Sequence, residues 1–557
     1  MGIATTNVLS RAMAARGAGP QSPVFEAHES VSFGGVLWLL PALESQGLYC
    51  FNDTHRIKQG YYSLTSIVLT LAIMALCRIK NPEQLKQSNA GELGRLLGLD
   101  RVPEVKCLRA KIDELSESVM TESLARQLSK QWVEACGDDV ILYADGHVRI
   151  YNGYAANLTT KYVSRQKLCL SGTTEFWIND TTGMPVMYYA GELNERLQHV
   201  IEEQIIPNMI AGKALCIPDD IANTTTPVCT LVFDREAWEP AFFTRLWVNY
   251  RIAIITYRKH VKDQWASELF TNHTITKDQH TFSRLLYEQP LHIGGYAFRE
   301  VRCLIENGHQ VAMVTTHPVL IPAQVAGSMF NRWTQENFFK YQMSDYSFDH
   351  FVQYGTEPIE LSKTVVNPEY SKISHSIKKE KEKLQRLQAE LIKDMDMAND
   401  ASLDQFKMHV AKQEKLTQAI TDKKSSIEKL VAKRKKIPNR ITLAQMPVEK
   451  RYNKLKTESR KITNIVKMVA YRAETATANM VAPYYKRQDD ERRMLIKQII
   501  NSPASIMPDY TNNTLTVILN TLSSNRFNTA AQELANILNQ TEAVFPGTNL
   551  KLCYKIQ

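Results

Sequence analysis

The sequence predicts an α/β core between two helical regions, and three observations favour this class. Short apolar runs alternate with helical patterns between residues 139 and 316, which is typical of a mixed sheet with helices packed against it. Residues 60–130 carry helical patterns that Gly and Pro breaks separate. Residues 376–436 are too charged for a core, with 16 Lys or Arg and 10 Asp or Glu, yet they keep one narrow apolar seam.

Length and composition exclude several classes of protein. The chain has 557 residues, of which 44% are apolar and 22% charged. These values are ordinary for globular proteins and exclude a disordered chain, a collagen and a disulfide scaffold. The longest apolar stretch, 63–77, contains Ser and Thr and is shorter than the roughly 18 residues of a membrane span, so it predicts a buried helix. The lack of a secretion signal and of any Cys-x-x-Cys pair predicts reduced thiols and a cytoplasmic location.

The net charge of +9 is unevenly distributed along the chain. Residues 1–130 carry a net +2, residues 131–370 a net −8 and residues 371–557 a net +15. An acidic middle beside a basic tail favours a protein that binds a polyanion and holds a cation or a catalytic site in its middle. The alternative is a solvated basic helical tail.

The predicted elements follow in chain order. Residues 1–130 form a helical N-terminal region that we interpret as DNA-binding; the alternative is a simple helical packing unit. Its helices span 61–78, 82–97 and 105–128, with breaks at Asn81-Pro82 and from Gly98 to Pro103. The first part of the core, 131–258, is predicted to contain strands 139–144, 148–154, 167–171, 174–178, 184–189, 228–233 and 252–257, with helices 194–209 and 238–250.

The second half of the chain is predicted to begin with a β-rich insertion, 259–310, with weak strands at 291–298 and 302–306. A last part of the core, 311–360, follows with strand 310–316 and helix 323–353. Residues 370–437 are predicted to form a helical hairpin or coiled coil that breaks near residues 399–402. Its seam contains Ile373, Ile377, Leu384, Leu387 and Leu391. Residues 438–557 are predicted to be a basic helical region that ends in a small capping unit.

Three acidic residues are candidates for a catalytic site. Asp145 and Asp234 each follow directly on a buried strand, where a carboxylate can hold a metal at the edge of the sheet. Glu336 lies on a predicted helix, with Arg332 and Lys340 one turn to either side. The aromatic residues of this helix predict that it is partly buried, and a buried Glu needs a partner or a metal.

Two Asp and one Glu on one sheet can hold two divalent cations about 4 Å apart. Their hard oxygen ligands suit Mg²⁺ or Mn²⁺. Such a pair activates a water or a 3′-hydroxyl for in-line attack on phosphorus. The sequence therefore predicts metal-dependent phosphoryl transfer.

The order strand–Asp, strand–Asp, insertion, helix–Glu resembles the DDE transposases of bacterial insertion sequences, in particular the insertion-sequence-four group. The segments that carry the resemblance lie between residues 130 and 350, and the spacings between the acids are 89 and 102 residues. They are Tyr-Ala-Asp-Gly-His-Val, Lys-Tyr-Val-Ser-Arg-Gln-Lys, Phe-Asp-Arg-Glu-Ala-Trp, Ile-Thr-Tyr-Arg-Lys and Arg-Trp-Thr-Gln-Glu-Asn-Phe-Phe-Lys. The resemblance implies an α/β RNase H-like catalytic core with a β-rich insert, flanked by an all-helical N-terminal region and a helical, partly coiled-coil C-terminal region.

The resemblance also implies roles for individual residues. Asp145, Asp234 and Glu336 would be the metal-binding triad for two Mg²⁺ or Mn²⁺ ions. The group has a Tyr–Arg–Glu–Lys signature, of which Arg332 matches the Arg. The Tyr position holds Met329 and the Lys position holds Met343, so Lys340 would substitute for that Lys one turn earlier.

Several further residues are candidate DNA contacts. The predicted phosphate contacts are Lys161, Arg165, Lys167, Arg258, Lys259, Arg332 and Lys340, and the alternative for each is a solvated surface position. Trp265 lies in the insertion, where the resemblance implies stacking on a flipped base. His147 is predicted to be structural, and Glu236 and Glu239 are predicted to be surface acids.

The predicted function is therefore a transposase that binds the terminal repeats of an insertion sequence, cuts the DNA and joins it to a target. Its partners would be double-stranded DNA and a second copy of the chain in a synaptic complex, on the bacterial nucleoid and away from membranes. The alternatives are an inactive transposase-derived DNA-binding protein, another metal-dependent nuclease or phosphohydrolase, and a helical scaffold.

Overall fold

A computed structural model describes residues 7–154, 156–163, 166–221, 225–277, 280–348, 355–398, 403–485 and 489–557. The chain divides into two compact units. Unit 1 contains Met1–Asn152, Thr159–Tyr354 and Lys456–Gln557, and unit 2 contains Gly153–Leu158 and Gly355–Leu455. The two ends of the chain therefore belong to the same unit.

The helices and strands of the described residues are numbered in chain order. The helices are α1 Val8–Ala15, α2 Leu40–Ser45, α3 Phe51–Thr54, α4 Leu64–Leu76, α5 Ala90–Arg95, α6 Val105–Leu115, α7 Ser118–Glu134, α8 Leu197–Val200, α9 Ile206–Ala211, α10 Pro240–Tyr250, α11 Pro322–Phe330, α12 Trp333–Ser344, α13 Pro368–Ala398, α14 Leu403–Lys435, α15 Glu458–Met480, α16 Asp489–Asn501 and α17 Asn525–Gln540. The strands are β1 His28–Val31, β2 Ile141–Ile150, β3 Thr160–Val163, β4 Leu168–Asn179, β5 Pro185–Glu192, β6 Cys229–Phe233, β7 Ile252–Tyr257, β8 Thr271–Lys277, β9 His280–Ile293, β10 Tyr296–Leu304, β11 Gln310–Thr315, β12 Thr356–Pro358, β13 Thr364–Val366, β14 Arg440–Thr442, β15 Asn453–Leu455, β16 Ala504–Asp509, β17 Thr514–Leu519 and β18 Lys551–Ile556. A π-helical turn, Ile201–Ile205, joins α8 to α9.

A large mixed sheet forms the centre of unit 1. Within the described chain it has ten strands, in the order β3-β4-β2-β6-β7-β11-β10-β9-β8, and β5 pairs with β4 on the same side as β3. β2 is antiparallel to β4 but parallel to β6, and β6 is parallel to β7. The strand that contains Asp145 and the strand that precedes Asp234 are therefore neighbours that run in the same direction.

Helices cover both faces of this sheet, because side chains of successive strand residues point to opposite faces. One face buries Leu142, Leu231 and Ile254 beneath α10 and the α8–α9 helix. The other face buries Tyr143 and Val232, among others, beneath α11. Asp145 and Asp234 follow Tyr143 and Val232 by two residues each, so they lie on the α11 face.

The predicted insertion continues the same sheet. Its strands β8, β9 and β10 form antiparallel pairs, and β10 pairs with β11, which in turn pairs with β7. The strand predicted over 291–298 is wrong, because Gly294 and Gly295 adopt positive φ angles and form the turn between β9 and β10.

Several predicted elements have different boundaries. Strands 139–144 and 148–154 are one strand, β2, because the ladder to β4 continues through Asp145 and Gly146. Strands 167–171 and 174–178 are likewise the single strand β4. The helices predicted over 105–128 and 323–353 are each divided in two, and residues 349–353 of the latter lie outside the described chain.

Two of the predicted regions are not purely helical. The N-terminal region contributes β1, which pairs with β16, so the all-helical N-terminal region is a wrong prediction. The C-terminal region contributes β16, β17 and β18, and β17 pairs with β18 in parallel. Each of these strands has only a short alternation of apolar and polar residues, and they follow two helices. The sequence pattern of the whole region therefore predicted a basic helical region without strands. β1, β16, β17 and β18 form a second sheet, called the C-terminal sheet below, which joins the two ends of the chain.

The apolar stretch 63–77 is a helix, α4, as predicted. It is apolar on all sides and buried from Ser66 to Leu76. It packs mainly against α15, a 23-residue helix that is itself largely buried. Within the described residues, no helix is both long enough and apolar enough to cross a bilayer.

Unit 2 contains two strand pairs and one pair of long helices. β12 pairs with β15, and β13 pairs with β14. Helices α13 and α14 pack against each other in antiparallel fashion, since Glu380 contacts Lys423 while Asp394 contacts Lys412. The predicted seam residues Ile373, Ile377 and Leu384 pack with Ile427 of α14, among others. The break predicted near 399–402 lies outside the described residues.

A buried carboxylate connects three distant segments of unit 1. Glu474 of α15 accepts hydrogen bonds from Arg78, just after α4, at 2.9 Å and from the hydroxyl of Tyr346, just after α12. The side chain of Glu474 is only 3% exposed. Asp345 also pairs with Arg78 and with Lys497 of α16. The end of α12 is therefore tied to both terminal regions of the chain.

We expect Glu474→Gln to lower the free energy of unfolding by about 3 kcal/mol or more, because it leaves the largely buried guanidinium of Arg78 without its main counter-ion. Urea denaturation monitored by circular dichroism measures this change. Glu122→Gln is the matched control, since Glu122 is 52% exposed and pairs with Arg126 on the surface of α7. That control should cost less than about 1 kcal/mol. Equal losses in the two variants would contradict a central role for Glu474.

Candidate functional site

The two Asp residues meet at one edge of the sheet. Ala144 and Phe233 are register partners in the parallel pair β2–β6, so the next residues, Asp145 and Asp234, lie side by side. Asp145 accepts a hydrogen bond from the N–H of Gly146 at 2.8 Å. Asp234 accepts one from the N–H of Arg235 at 2.6 Å and caps a short 3₁₀ helix. Asp145 is thus held within β2, and Asp234 directly after the end of β6.

One guanidinium lies between these carboxylates. Nη2 of Arg332 is 3.7 Å from Oδ2 of Asp145, and Nη1 of Arg332 is 3.8 Å from Oδ1 of Asp234. Arg332 is 13% exposed and stands immediately before α12. Arg332, which lies one turn before Glu336, is therefore paired with the two Asp residues.

The environment of Asp145 disfavours its charged form. Burial raises the pKa of Asp145 to about 6, and the nearby carboxylates of Glu236 and Asp234 act in the same direction. The guanidinium of Arg332 and the N–H of Gly146 oppose this rise. A positively charged partner therefore stabilises the ionised form of Asp145.

Glu336 lies on α12, one turn after Arg332. It lines an open pocket together with Asp145, Phe339, Lys340, Met343 and Ser344. The prediction that Glu336 is buried is wrong: the side chain is exposed. The apolar face of α12 carries Phe338 and Phe339 instead, while Trp333 is 65% exposed.

A buried amide fixes the start of α12 against the sheet. Nε2 of Gln335 donates to the carbonyl oxygen of Tyr143 at 3.1 Å, to that of Trp177 at 3.3 Å and to Oδ1 of Asn179 at 2.9 Å. Gln335 is 1% exposed. Sequence reasoning missed this positioning residue, because nothing distinguishes a Gln next to a predicted catalytic Glu from a surface Gln.

The turn between β4 and β5 supports the same end of α12. Asn331 donates from Nδ2 to the carbonyl oxygen of Thr181 at 2.8 Å. Gly183 has a φ of +81°, and a Cβ at this position would lie 2.8 Å from the carbonyl oxygen of Thr334. Only glycine combines this backbone conformation with such a close approach.

His147 packs against α12, and its structural role stays a prediction. Its ring stacks on Phe339 with a centroid separation of 5.3 Å and an interplanar angle of 19°. His147 lies two residues after Asp145 on the same face of β2. The stacking thus packs α12 against the strand that carries Asp145.

The predicted phosphate contacts have different surroundings. Lys161 lies 3.6 Å from the carboxylate of Glu236, which places it near Asp145. Arg258 donates to the buried carboxylate of Glu300 at 2.6 Å, so its charge is already balanced. Lys167 is exposed in the turn before β4, and Lys259 is half-buried. Arg165 lies outside the described residues.

Trp265 is packed within the insertion. The guanidinium of Arg302 lies 3.9 Å from the centroid of its ring, and Tyr287 contacts it edge-on. The backbone N–H of Trp265 donates to Oε1 of Gln310 at 3.0 Å, and Nε2 of Gln310 donates to the carbonyl oxygen of Trp265 at 2.6 Å. These two hydrogen bonds fix the position of Trp265. One face of the indole is thus covered by a cation.

Asp145 and Asp234 supply carboxylate oxygens, the ligands that hard divalent cations prefer. Both carboxylates face one positive charge, the guanidinium of Arg332. The side chains at this edge of the sheet therefore fit a divalent cation. In the described part of the chain, no group of three or more His, Cys, Asp or Glu side chains lies close enough together to hold a metal ion. Asp145 and Asp234 are brought together at Arg332, whereas Glu336 shares a pocket with Asp145.

A family model described as "Transposase protein" matches residues 2–557. The match includes both Asp strands, α12, the helix pair of unit 2 and the C-terminal sheet. No curated protein matches the chain.

We expect Asp145→Asn to stabilise the protein at pH 7.5 by about 1–3 kcal/mol when divalent cations are chelated. The pKa of Asp145 is raised in the folded state, so ionisation of this carboxyl disfavours folding. Its contribution to stability falls as pH rises from about 4 to about 6 and stays low above that range. The advantage of Asp145→Asn should therefore shrink as pH is lowered toward 4.

Urea unfolding between pH 4 and 8 in the presence of EDTA measures this difference. Asp139→Asn is the control, since it removes an exposed carboxylate near the opposite end of the same strand. A pH-independent difference between wild type and Asp145→Asn would contradict the expectation.

Proposed function

This chain belongs to the family of transposase proteins, and from that membership and the paired carboxylates at the sheet edge we propose that it cuts DNA at the ends of an insertion sequence and joins the freed ends to a target. Family membership makes the protein a DNA-processing enzyme. The finer proposal is a DDE mechanism in an RNase H-like core similar to the insertion-sequence-four group. The observation that carries it is the meeting of Asp145 and Asp234 beside the helix of Glu336.

The proposed chemistry assigns a role to each residue of the edge. Asp145 and Asp234 would bind Mg²⁺ or Mn²⁺, and Glu336 would complete the triad from α12. Two bound cations supply activation of the attacking water or 3′-hydroxyl and stabilisation of the leaving oxygen. Gln335 and His147 hold α12 against β2, so that Glu336 stays in one pocket with Asp145. Lys340 lines the pocket beside Glu336, where its ammonium can meet a phosphate of the DNA.

The basic C-terminal third of the chain suits a role in binding DNA. Residues 371–557 carry a net charge of +15, and α13 and α14 expose most of their Lys and Arg side chains. We propose that the helix pair contacts DNA and helps a homodimer hold two element ends in a synaptic complex. A nucleoid-associated location in the bacterial cytoplasm follows from this proposal.

We expect Asp145→Asn, Asp234→Asn and Glu336→Gln each to reduce cleavage by about 10²–10³-fold or more, because each removes an oxygen ligand of the reaction centre. The assay uses supercoiled plasmid with the flanking DNA of the gene, with Mg²⁺ or Mn²⁺, and maps the breaks. Asp139→Asn should cut normally, and DNA binding should persist in all variants.

The outcomes separate the proposed function from its alternatives. Binding without any metal-dependent cut in wild type would favour an inactive DNA-binding relative. Cuts that survive in the triad variants would place the active site elsewhere and favour another kind of nuclease.

The helix pair belongs to unit 2, so it can be deleted while every residue of unit 1 is kept. Truncation before the pair is unsuitable, because residues 456–557 belong to unit 1. An internal deletion is possible because Val366 and Arg440 are antiparallel register partners. An Asn-Gly dipeptide between them replaces residues 367–439 with a two-residue hairpin turn.

We expect this deletion to keep cleavage at single ends but to weaken DNA binding and reduce the pairing of two ends. The loss of phosphate contacts should also make the affinity less dependent on salt. Gel-shift titrations at several salt concentrations and an assay for paired-end complexes measure these effects. A variant with Lys378, Lys379 and Lys381 changed to Gln separates the effect of charge from that of the helices. Normal end pairing in the deletion variant would refute the role of the pair.

A further inference from the structure

We propose that Arg332 is an internal counter-ion of the Asp145–Asp234 pair, which must move away from these carboxylates when a divalent cation binds there. Arg332 would thus compete with the cation for the same two side chains. This inference rests on the proposed function, because it takes the two Asp residues as metal ligands. It adds that a residue of the same chain, Arg332, competes with the divalent cation for these ligands.

The first support is the position of the guanidinium. Its two terminal nitrogens face different carboxylates, with Nη2 at 3.7 Å from Asp145 and Nη1 at 3.8 Å from Asp234. A cation that binds both carboxylates needs the region that this guanidinium bridges. The two occupants therefore exclude each other on steric as well as electrostatic grounds.

The second support is the looseness of these contacts. Both distances exceed the usual length of an N–H···O hydrogen bond. Nε of Arg332 is buried and has no hydrogen-bond partner within the described chain. By comparison, Arg245 holds Glu202 in a two-pronged contact with both distances at 2.8 Å. Arg332 is thus held by charge more than by directed hydrogen bonds, so a stronger cation can replace it.

The third support is the need for positive charge at this edge. Asp145 is largely buried, and Asp234 and Glu236 add negative charge beside it. Lys161 pairs with Glu236, while Arg235 lies over the ring of Tyr257. Among these neighbours, Arg332 is the cation that faces both Asp carboxylates. It keeps the metal-free pair compatible with folding.

The test measures binding of Mn²⁺ to the full-length protein without DNA, by calorimetry and by the electron paramagnetic resonance signal of free Mn²⁺. We expect Arg332→Gln to lower the Kd for Mn²⁺ about tenfold. Arg235→Gln is the matched control, since it removes one positive charge next to Asp234 from a side chain that lies over the ring of Tyr257 and does not bridge the Asp pair. Its Kd should change less than twofold.

Arg332→Lys covers the case in which Arg332→Gln folds poorly. A Lys at this position keeps the charge but not the fork that reaches both carboxylates. We expect a Kd between those of wild type and Arg332→Gln. Thermal melting with and without Mn²⁺ gives a second readout, in which the stabilisation by Mn²⁺ should be larger in the Arg332 variants.

The results distinguish failure of this inference from failure of the proposed function. If Asp145→Asn abolishes Mn²⁺ binding but Arg332→Gln leaves the Kd unchanged or raises it, the competition is overturned and the metal site stands. Equal gains in Arg332→Gln and Arg235→Gln also overturn it, because a general charge effect then suffices. If wild type binds no Mn²⁺, or Asp145→Asn binds it normally, the metal site falls together with the competition.

Discussion

The structure of the candidate site depends on the placement of α12 against the central sheet. The strands of the sheet are joined by backbone hydrogen bonds, whereas α12 is held against the sheet by contacts of its side chains. Nε2 of Gln335 donates to carbonyl oxygens of β2 and β4 in a buried position, where an unpaired donor would be costly. The helix therefore has one favourable register over the strands. Because Arg332 and Glu336 flank Gln335 on either side, the same hydrogen bonds set their distance from the two Asp strands.

The opposite end of α12 links the site to the ends of the chain. Tyr346 and Asp345 follow the helix, and their partners come from α4, α15 and α16. The C-terminal sheet takes one strand from the N-terminal region, which closes this arrangement. The core strands are thus complete by residue 315, yet the contacts that fix the helix of Glu336 need residues beyond 470. A functional site in this chain requires the whole of unit 1, including the segments that flank the core in sequence.

The sequence predicted the parts of the fold that depend on local pattern. Continuous apolar runs identified β6 and β7 and the positions of Asp145 and Asp234, because buried parallel strands are apolar on both faces. It could not show that Asp145-Gly146 lies within a strand, since this pair is also typical of a turn and only the ladder to β4 decides. It also misjudged Glu336, because neighbouring aromatic residues bury one face of a helix without burying every side chain. The bridging contact of Arg332 required the tertiary arrangement of strands that are 89 residues apart.

The two insertions explain how so long a chain can keep a compact site. The proximity of Asp145 and Asp234 depends only on the register of β2 with β6, in which Ala144 lies opposite Phe233. The first insertion leaves the sheet after β7 and returns through β11, which pairs with β7 itself, so it adds strands only on the side away from β2. The second, Gly355–Leu455 of unit 2, leaves after α12 and returns before α15, and its strands pair with one another, β12 with β15 and β13 with β14. The geometry of the carboxylate pair therefore depends on two adjacent strands and one helix, and neither insertion interrupts them.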